Sequence, residues 1–100
     1  MYVAVYEYRM RPEKSIEYIT LEKQAIEIYL EHGCLGVEIY RDAGDPYRWM
    51  EINRYRDRGH YEEVAATVEG DPRIRPLYEA FMGIFEAESQ PTKSNYLRIL

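Results

Sequence analysis

Cysteine is nearly absent. Cys34 stands alone among 100 residues, so the chain can form no internal disulfide and no cysteine-rich metal site. A reducing compartment fits that usage, and a cytoplasmic location is expected. Basic residues are outnumbered, 13 Lys and Arg against 18 Asp and Glu, for a net charge of −5. That balance excludes a nucleic-acid backbone as partner, because phosphate binding needs a basic patch. No apolar run reaches membrane-spanning length, and Met1 leads into a strand pattern rather than a signal peptide. No membrane partner is expected. A Gly-rich phosphate loop is missing too, since Gly33–Cys34–Leu35–Gly36 has neither the spacing nor the context. Histidine is confined to His32 and His60, and neither has a metal-type spacing with Cys34 or a carboxylate. No serine or cysteine sits in a nucleophile elbow. No motif therefore calls for a cofactor or a metal.

What is present is tyrosine, eleven of them, within a chain that is 46% hydrophobic. That apolar share supports one folded domain over residues 1–100. Most of the tyrosines fall in register. In residues 2–10 the even positions hold Tyr2, Ala4, Tyr6, Tyr8 and Met10, and the odd positions hold Val3, Val5, Glu7 and Arg9. This is strand alternation with β-branched and aromatic residues. Pro12 ends the strand and is placed to start a helix to about His32, with Gly33 as its stop. Two apolar stripes wrap that helix. One is Tyr18, Leu21, Ala25, Ile28 and Tyr29, and the other is Ile16, Ile19, Ile26 and Leu30. A helix with one wet side needs a single stripe, so the second should meet another helix or a partner chain.

Residues 35–42 and 47–55 form a hairpin around Ala43–Gly44–Asp45–Pro46. With Asp42 opposite Tyr47, Ile39 meets Met50 and Val37 meets Ile52 on one face. On the other, Tyr40 meets Trp49 and Glu38 meets Glu51. A one-residue slip would mix aliphatic and polar partners. Asp57 is a helix N-cap for Arg58 to about Glu69, closed by Gly70. Pro76 opens a further helix to about Ala87. Ser89–Ser94 reads as loop, and Asn95–Leu100 as a last strand.

The order strand, helix, strand, strand, helix, strand is the split βαβ pattern of a ferredoxin-like α+β domain. It predicts a four-stranded antiparallel sheet with helices on one face. The uncovered face would still be too apolar to stay wet. A homodimer through the sheet face follows, which would close two sheets into a dimeric α/β barrel.

The stretches YRMRPEKSIEYI, EINRYRDRGHYEEVAATVEGDP and SNYLRIL resemble the dimeric α/β-barrel superfamily. The likeness is greatest to its NIPSNAP-like branch and more distant to the antibiotic-biosynthesis-monooxygenase-like branch. Glu13 stands where NIPSNAP-like sequences often have Gly. The haem-degrading branch would need an Asn, a Trp and a His near Tyr6, Ala66 and Leu77, so haem degradation is not implied. Likeness of Tyr6 to a pocket position in those relatives points the aromatic face toward the helices. The aliphatic face, Val3, Val5, Val37, Ile39, Met50 and Ile52, would then form the dimer core. Trp49 and Asn53 are the residue types that the monooxygenase branch arranges around an aromatic substrate.

The candidate ligand-binding residues are Tyr6, Tyr8, Tyr40, Trp49, Asn53 and Tyr55. They could line a pocket for a small apolar or aromatic ligand, or serve as a dimer core with satisfied hydroxyls. Asn53 favours the pocket, because a buried amide among aromatics needs partners. The catalytic candidates are Glu38, Glu51 and His60. Opposed carboxylates can share a proton and act as a general base; in the plainer reading they pair with Arg41, Arg48 or Arg54. His60 lies in the first turn of its helix, near the pocket mouth of this fold. Three functions stay open: a small-molecule binding protein, a cofactor-independent monooxygenase or isomerase acting on a phenol- or quinone-like substrate, and an assembly module with no ligand.

Overall fold

A computed structural model describes residues 1–85 and 90–100. Strand β1 is Tyr2–Arg9, and a 3-10 turn Pro12–Lys14 leads into helix α1, Ser15–Glu31. Strands β2, Gly36–Arg41, and β3, Arg48–Tyr55, form the hairpin. Helices α2, Arg58–Glu69, and α3, Ile74–Ile84, precede strand β4, Thr92–Leu97. The sheet order is β2-β3-β1-β4 and every pairing is antiparallel. This is the ferredoxin-like α+β arrangement that the order of elements predicts. Among the described residues no helix is long and apolar enough to cross a membrane.

The local signals act as the sequence implies. Gly33 takes a φ of +104° just past α1, a conformation that glycine adopts without a Cβ penalty. Asp57 Oδ1 accepts the His60 amide at 2.7 Å and so caps α2. Helix α3 starts two residues before Pro76, because the Asp71 side chain and carbonyl take the Arg73 and Ile74 amides. Pro76 then sits within the first turn, where no amide is needed. The helix ends at Ile84, with Phe85 extended; positions 86 and 87 lie outside the described residues. Strand β4 begins at Thr92, opposite Glu7, so residues 92–94 are strand and not loop. Ser89 is also outside the described residues.

The hairpin register differs by one residue from the expected one. Asp42 pairs with Arg48, its amide donating to the Arg48 carbonyl at 2.8 Å. The turn's own side chains cause this. Asp42 Oδ1 accepts the amides of Gly44 and Asp45, and Asp45 Oδ1 accepts that of Tyr47. Tyr47 is thereby drawn into the turn and leaves the β2–β3 ladder, while its carbonyl still accepts the Met10 amide at 2.9 Å. Val37 now faces Asn53, and Ile39 faces Glu51. Because alternation has period two, the slip moves the whole of β2 to the opposite face. Val37 and Ile39 join the helix side, and Glu38 and Tyr40 go to the open side.

The core therefore combines Tyr2, Ala4 and Tyr8 from β1 with Trp49 and Tyr55 from β3. Tyr18, Ala25 and Ile28 of α1, Val64 and Val68 of α2, and Leu77 and Phe81 of α3 close over them. Of the second stripe on α1, Ile16, Ile19 and Leu30 are exposed, so no helix among the described residues covers them. The open sheet face carries Val3, Val5, Met50 and Ile52, half-buried, with Tyr40 and Tyr96 exposed.

Replacing the α2 cap should be measurable. Asp57→Ala is expected to cost about 1 kcal/mol, while Asp57→Ser keeps most of the stability. Urea midpoints report both, and an unmoved midpoint for the alanine variant would rule out the cap.

Candidate functional site

Between the sheet and helices α1 and α3 lies a cavity of about 300 Å³. Its wall is mostly aromatic. Tyr6 and Tyr8 rise from β1, Tyr18 and Tyr29 descend from α1, and Tyr78, Phe81 and Phe85 come from α3 and its end. The rings hold one another in place. Tyr18 meets Trp49 edge-on at 5.4 Å between centroids, and Tyr8 meets Phe85 at 5.1 Å. Such pairs add about 0.5–1.5 kcal/mol each beyond their buried area. The Tyr8 and Tyr18 hydroxyls bond to each other, and those of Tyr29 and Tyr78 are 2.6 Å apart.

Two acids interrupt this wall, Glu22 and Glu51. Glu22 stands one turn beyond Tyr18 and one turn before Ala25, so the helix aims it at the sheet. Glu51 sits between Trp49 and Asn53 on the inward side of β3. The two carboxyls lie side by side and each acts on the other's charge, an arrangement that favours one shared proton. Burial, and then the charge of Glu51, pushes Glu22 up to about 9. Burial raises Glu51 as well, opposed by its bond to Glu22 and by the Asn53 amide beside it. The pair therefore keeps a proton at neutral pH, as two close carboxyls do where burial strips their hydration. Burial also drives the phenols of Tyr6, Tyr8, Tyr18 and Tyr29 upward, so they stay protonated and can donate.

The sequence-expected residues divide sharply. Tyr6, Tyr8 and Glu51 line the cavity. Trp49 lies behind Tyr18, and Asn53 is buried beside Glu51. Trp49 Nε1 and Asn53 Oδ1 are buried without a hydrogen-bond partner among the described residues. Tyr55 lines a neighbouring cavity. Tyr40 belongs to the open face, where its hydroxyl donates to Glu38. Glu38 is not opposite Glu51. It pairs with Arg54, and that guanidinium, then Tyr40, holds it below the ordinary carboxylate range. The hairpin slip accounts for both displacements. His60 does not line the cavity: its Nδ1 accepts the Arg56 amide at 3.0 Å and its ring packs edge-on against Tyr55. With Nδ1 occupied, the ring proton belongs on Nε2. Among the described residues no three His, Cys, Asp or Glu side chains converge as metal ligands.

Glu22 was absent from the sequence candidates. Its signal is an acid inside the apolar stripe Tyr18, Leu21, Ala25, Ile28, Tyr29. A carboxylate there is either solvated or held by a partner, and only the packing shows which.

Chemically, the cavity can hold a flat ring among aromatic faces while presenting a carboxyl and a carboxylate to one edge of it. A base with a raised pKa is well matched to a phenolic or enolic proton.

Residues 1–70 match the family described as antibiotic biosynthesis monooxygenase. No curated protein matches in sequence. Among solved structures, the cofactor-independent oxygenase SnoaB from Streptomyces nogalater superposes with a TM-score of 0.76 at 10% identity, covering 99% of this chain and 93% of that one. An uncharacterized NIPSNAP domain protein from Burkholderia xenovorans gives 0.78 at 14%, covering 99% and 95%. A structure of an antibiotic biosynthesis monooxygenase gives 0.77 at 15%, with full coverage of both chains. At such identities the likeness establishes the fold.

The shared proton makes stability depend on pH. A carboxyl raised from its ordinary range to about 9 favours the fold below that ordinary range and loses this contribution as pH climbs toward 9. Glu22→Gln lacks the titration. Its melting temperature should therefore rise relative to the parent between pH 5 and pH 9, a window set by the ordinary and shifted values. A difference that stays constant across that window would mean the proton is not shared.

Proposed function

Because the chain belongs to the antibiotic biosynthesis monooxygenase family, we propose that its cavity binds a small aromatic compound with an acidic hydroxyl, and that the Glu22–Glu51 pair takes up that proton. The observation that carries this reading is the pair of neighbouring acids, Glu22 and Glu51, set in an otherwise aromatic wall. Glu22 is buried and Glu51 half-buried, and holding two carboxyls there costs stability, because desolvating charge is unfavourable. Apolar residues at both positions would pack without that cost, so the acids favour a chemical role over a purely structural one.

The reaction is a proton transfer from a phenol- or quinol-like ring. Glu51 accepts the proton, and the ring keeps the electron pair. Two outcomes share this step. The ring can take a proton back at another carbon, which is isomerisation. It can instead react with dioxygen as co-substrate: the ring carbon para to the hydroxyl loses its hydrogen and takes one oxygen atom as a carbonyl, and the second oxygen atom leaves as water with that hydrogen and the hydroxyl proton, an oxygenation without cofactor such as SnoaB is named for. The tyrosines act as donors to the ring oxygens, and Phe81 and Phe85 exclude water. Simple binding without turnover uses the same cavity.

We also propose that the open sheet face pairs with a second copy of the chain. Val3, Val5, Met50 and Ile52 are only half-buried on it, beside exposed Tyr40 and Tyr96. Fully burying each large apolar side chain gains roughly 1.5–3 kcal/mol.

1-Naphthol and dissolved oxygen test the chemistry, with one oxygen atom expected in the 1,4-naphthoquinone formed and the other in water. The parent protein is expected to accelerate oxygen uptake, and Glu51→Gln and Glu22→Gln to lose about a hundredfold or more of that acceleration. Folded variants with undiminished rates would remove the pair from the mechanism. Native mass spectrometry tests the pairing. The parent should appear at twice its chain mass, and Ile52→Glu should shift it to single chains with unchanged circular dichroism. A parent that is monomeric at micromolar concentration would sink the interface.

A further inference from the structure

A second cavity, of about 580 Å³, adjoins the first. Tyr6, Tyr29, Tyr78 and Met82 belong to the walls of both. Beyond them the chemistry changes from aromatic to charged. Arg75, Glu69 and Glu79 lie on the helix side, and Lys93 reaches in from β4.

Lys93 is unusual among the lysines. Its ammonium lies 4.6 Å from the Tyr61 ring centroid and 5.7 Å from that of Tyr6, and it bonds to the Tyr61 hydroxyl. It forms no ion pair with any described carboxylate, and burial lowers its pKa. An ammonium held on rings and one hydroxyl has donors left for an anion.

The sheet register places Lys93 relative to the acids. Tyr6 pairs with Glu51 on one side and with Lys93 on the other. The three residues form one row across β3, β1 and β4, all on the helix side. Two strand spacings separate Glu51 from Lys93, roughly 10 Å between their backbones. Tyr6 stands between them, at the boundary of the two cavities.

We propose that the second cavity is a carboxylate subsite, in which Lys93 binds an anionic side arm of the same ligand whose hydroxyl meets Glu22 and Glu51. The substrate class is then a phenol or quinol bearing a carboxylate across the ring from its hydroxyl. This rests on the proton-transfer reading of the first cavity and adds the ligand's charge and span. One ammonium matches one carboxylate. Glu69 and Glu79 at the wall disfavour a dianion, which Arg75 alone would have to offset.

Calorimetric titration with two probes tests it: para-propylphenol and its carboxylate counterpart, para-hydroxyphenylpropionate. The parent protein should bind the carboxylate probe on the order of tenfold more tightly. Lys93→Gln should erase that preference while leaving propylphenol affinity unchanged, and Lys93→Arg should retain it. The position lies on the edge strand with only its ammonium end covered by the Tyr6 and Tyr61 rings, and thermal unfolding verifies that each variant is folded. Equal affinity of the parent for both probes overturns the subsite and leaves the first cavity standing. A preference that survives Lys93→Gln overturns it as well. If neither probe binds the parent, both readings fall together.

Discussion

Strand β3 is hydrogen-bonded on both sides, and its alternation decides which residues the helices cover. Trp49, Glu51, Asn53 and Tyr55 point inward; Met50, Ile52 and Arg54 point outward. Every property of the cavity depends on that assignment. With β3 turned over, two aliphatic residues would lie under α1 and α3, and the acid would face outward. Glu22 would then be buried without its partner, and a lone buried carboxylate is strongly disfavoured. The pairing of β1 with β3 fixes the same alternation again, so Tyr6 and Glu51 arrive side by side.

Much of this was legible. The order of the elements, the end of α1 at Gly33 and the cap at Asp57 follow from local rules, because each is settled by neighbours in sequence. The aromatic side of β1 and β3 was legible for the same reason, since alternation within one strand needs no knowledge of its partner. The hairpin register was not. It turned on whether Tyr47 starts the strand or closes the turn, and two aspartate side chains decided that. Matching aliphatic partners across the hairpin is a sound rule only where both faces compete for the same core. Here Met50 and Ile52 belong to a surface that the described residues leave open, so the rule selected the wrong pairing. Tyr40 and Glu38 moved with it.

The acid pair shows a different limit. Glu51 was named, but with Glu38 as partner, because both lie in one hairpin and can be compared residue by residue. The true partner is a whole helix away. Its position depends on how α1 lies across the sheet, which follows from side-chain volumes such as those of Tyr18 and Ala25 and not from spacing.

Strand β4 lies at the edge of the sheet and is exposed along its whole length, held in the ladder by β1 alone. Edge elements with few buried contacts open more readily than central ones. A lysine that binds ligand from such a strand ties two equilibria together, since the bound anion counts only while the strand is docked. The anion's hold on the ligand would then last only as long as residues 92–97 stay docked on β1, however firmly the rings grip the remainder.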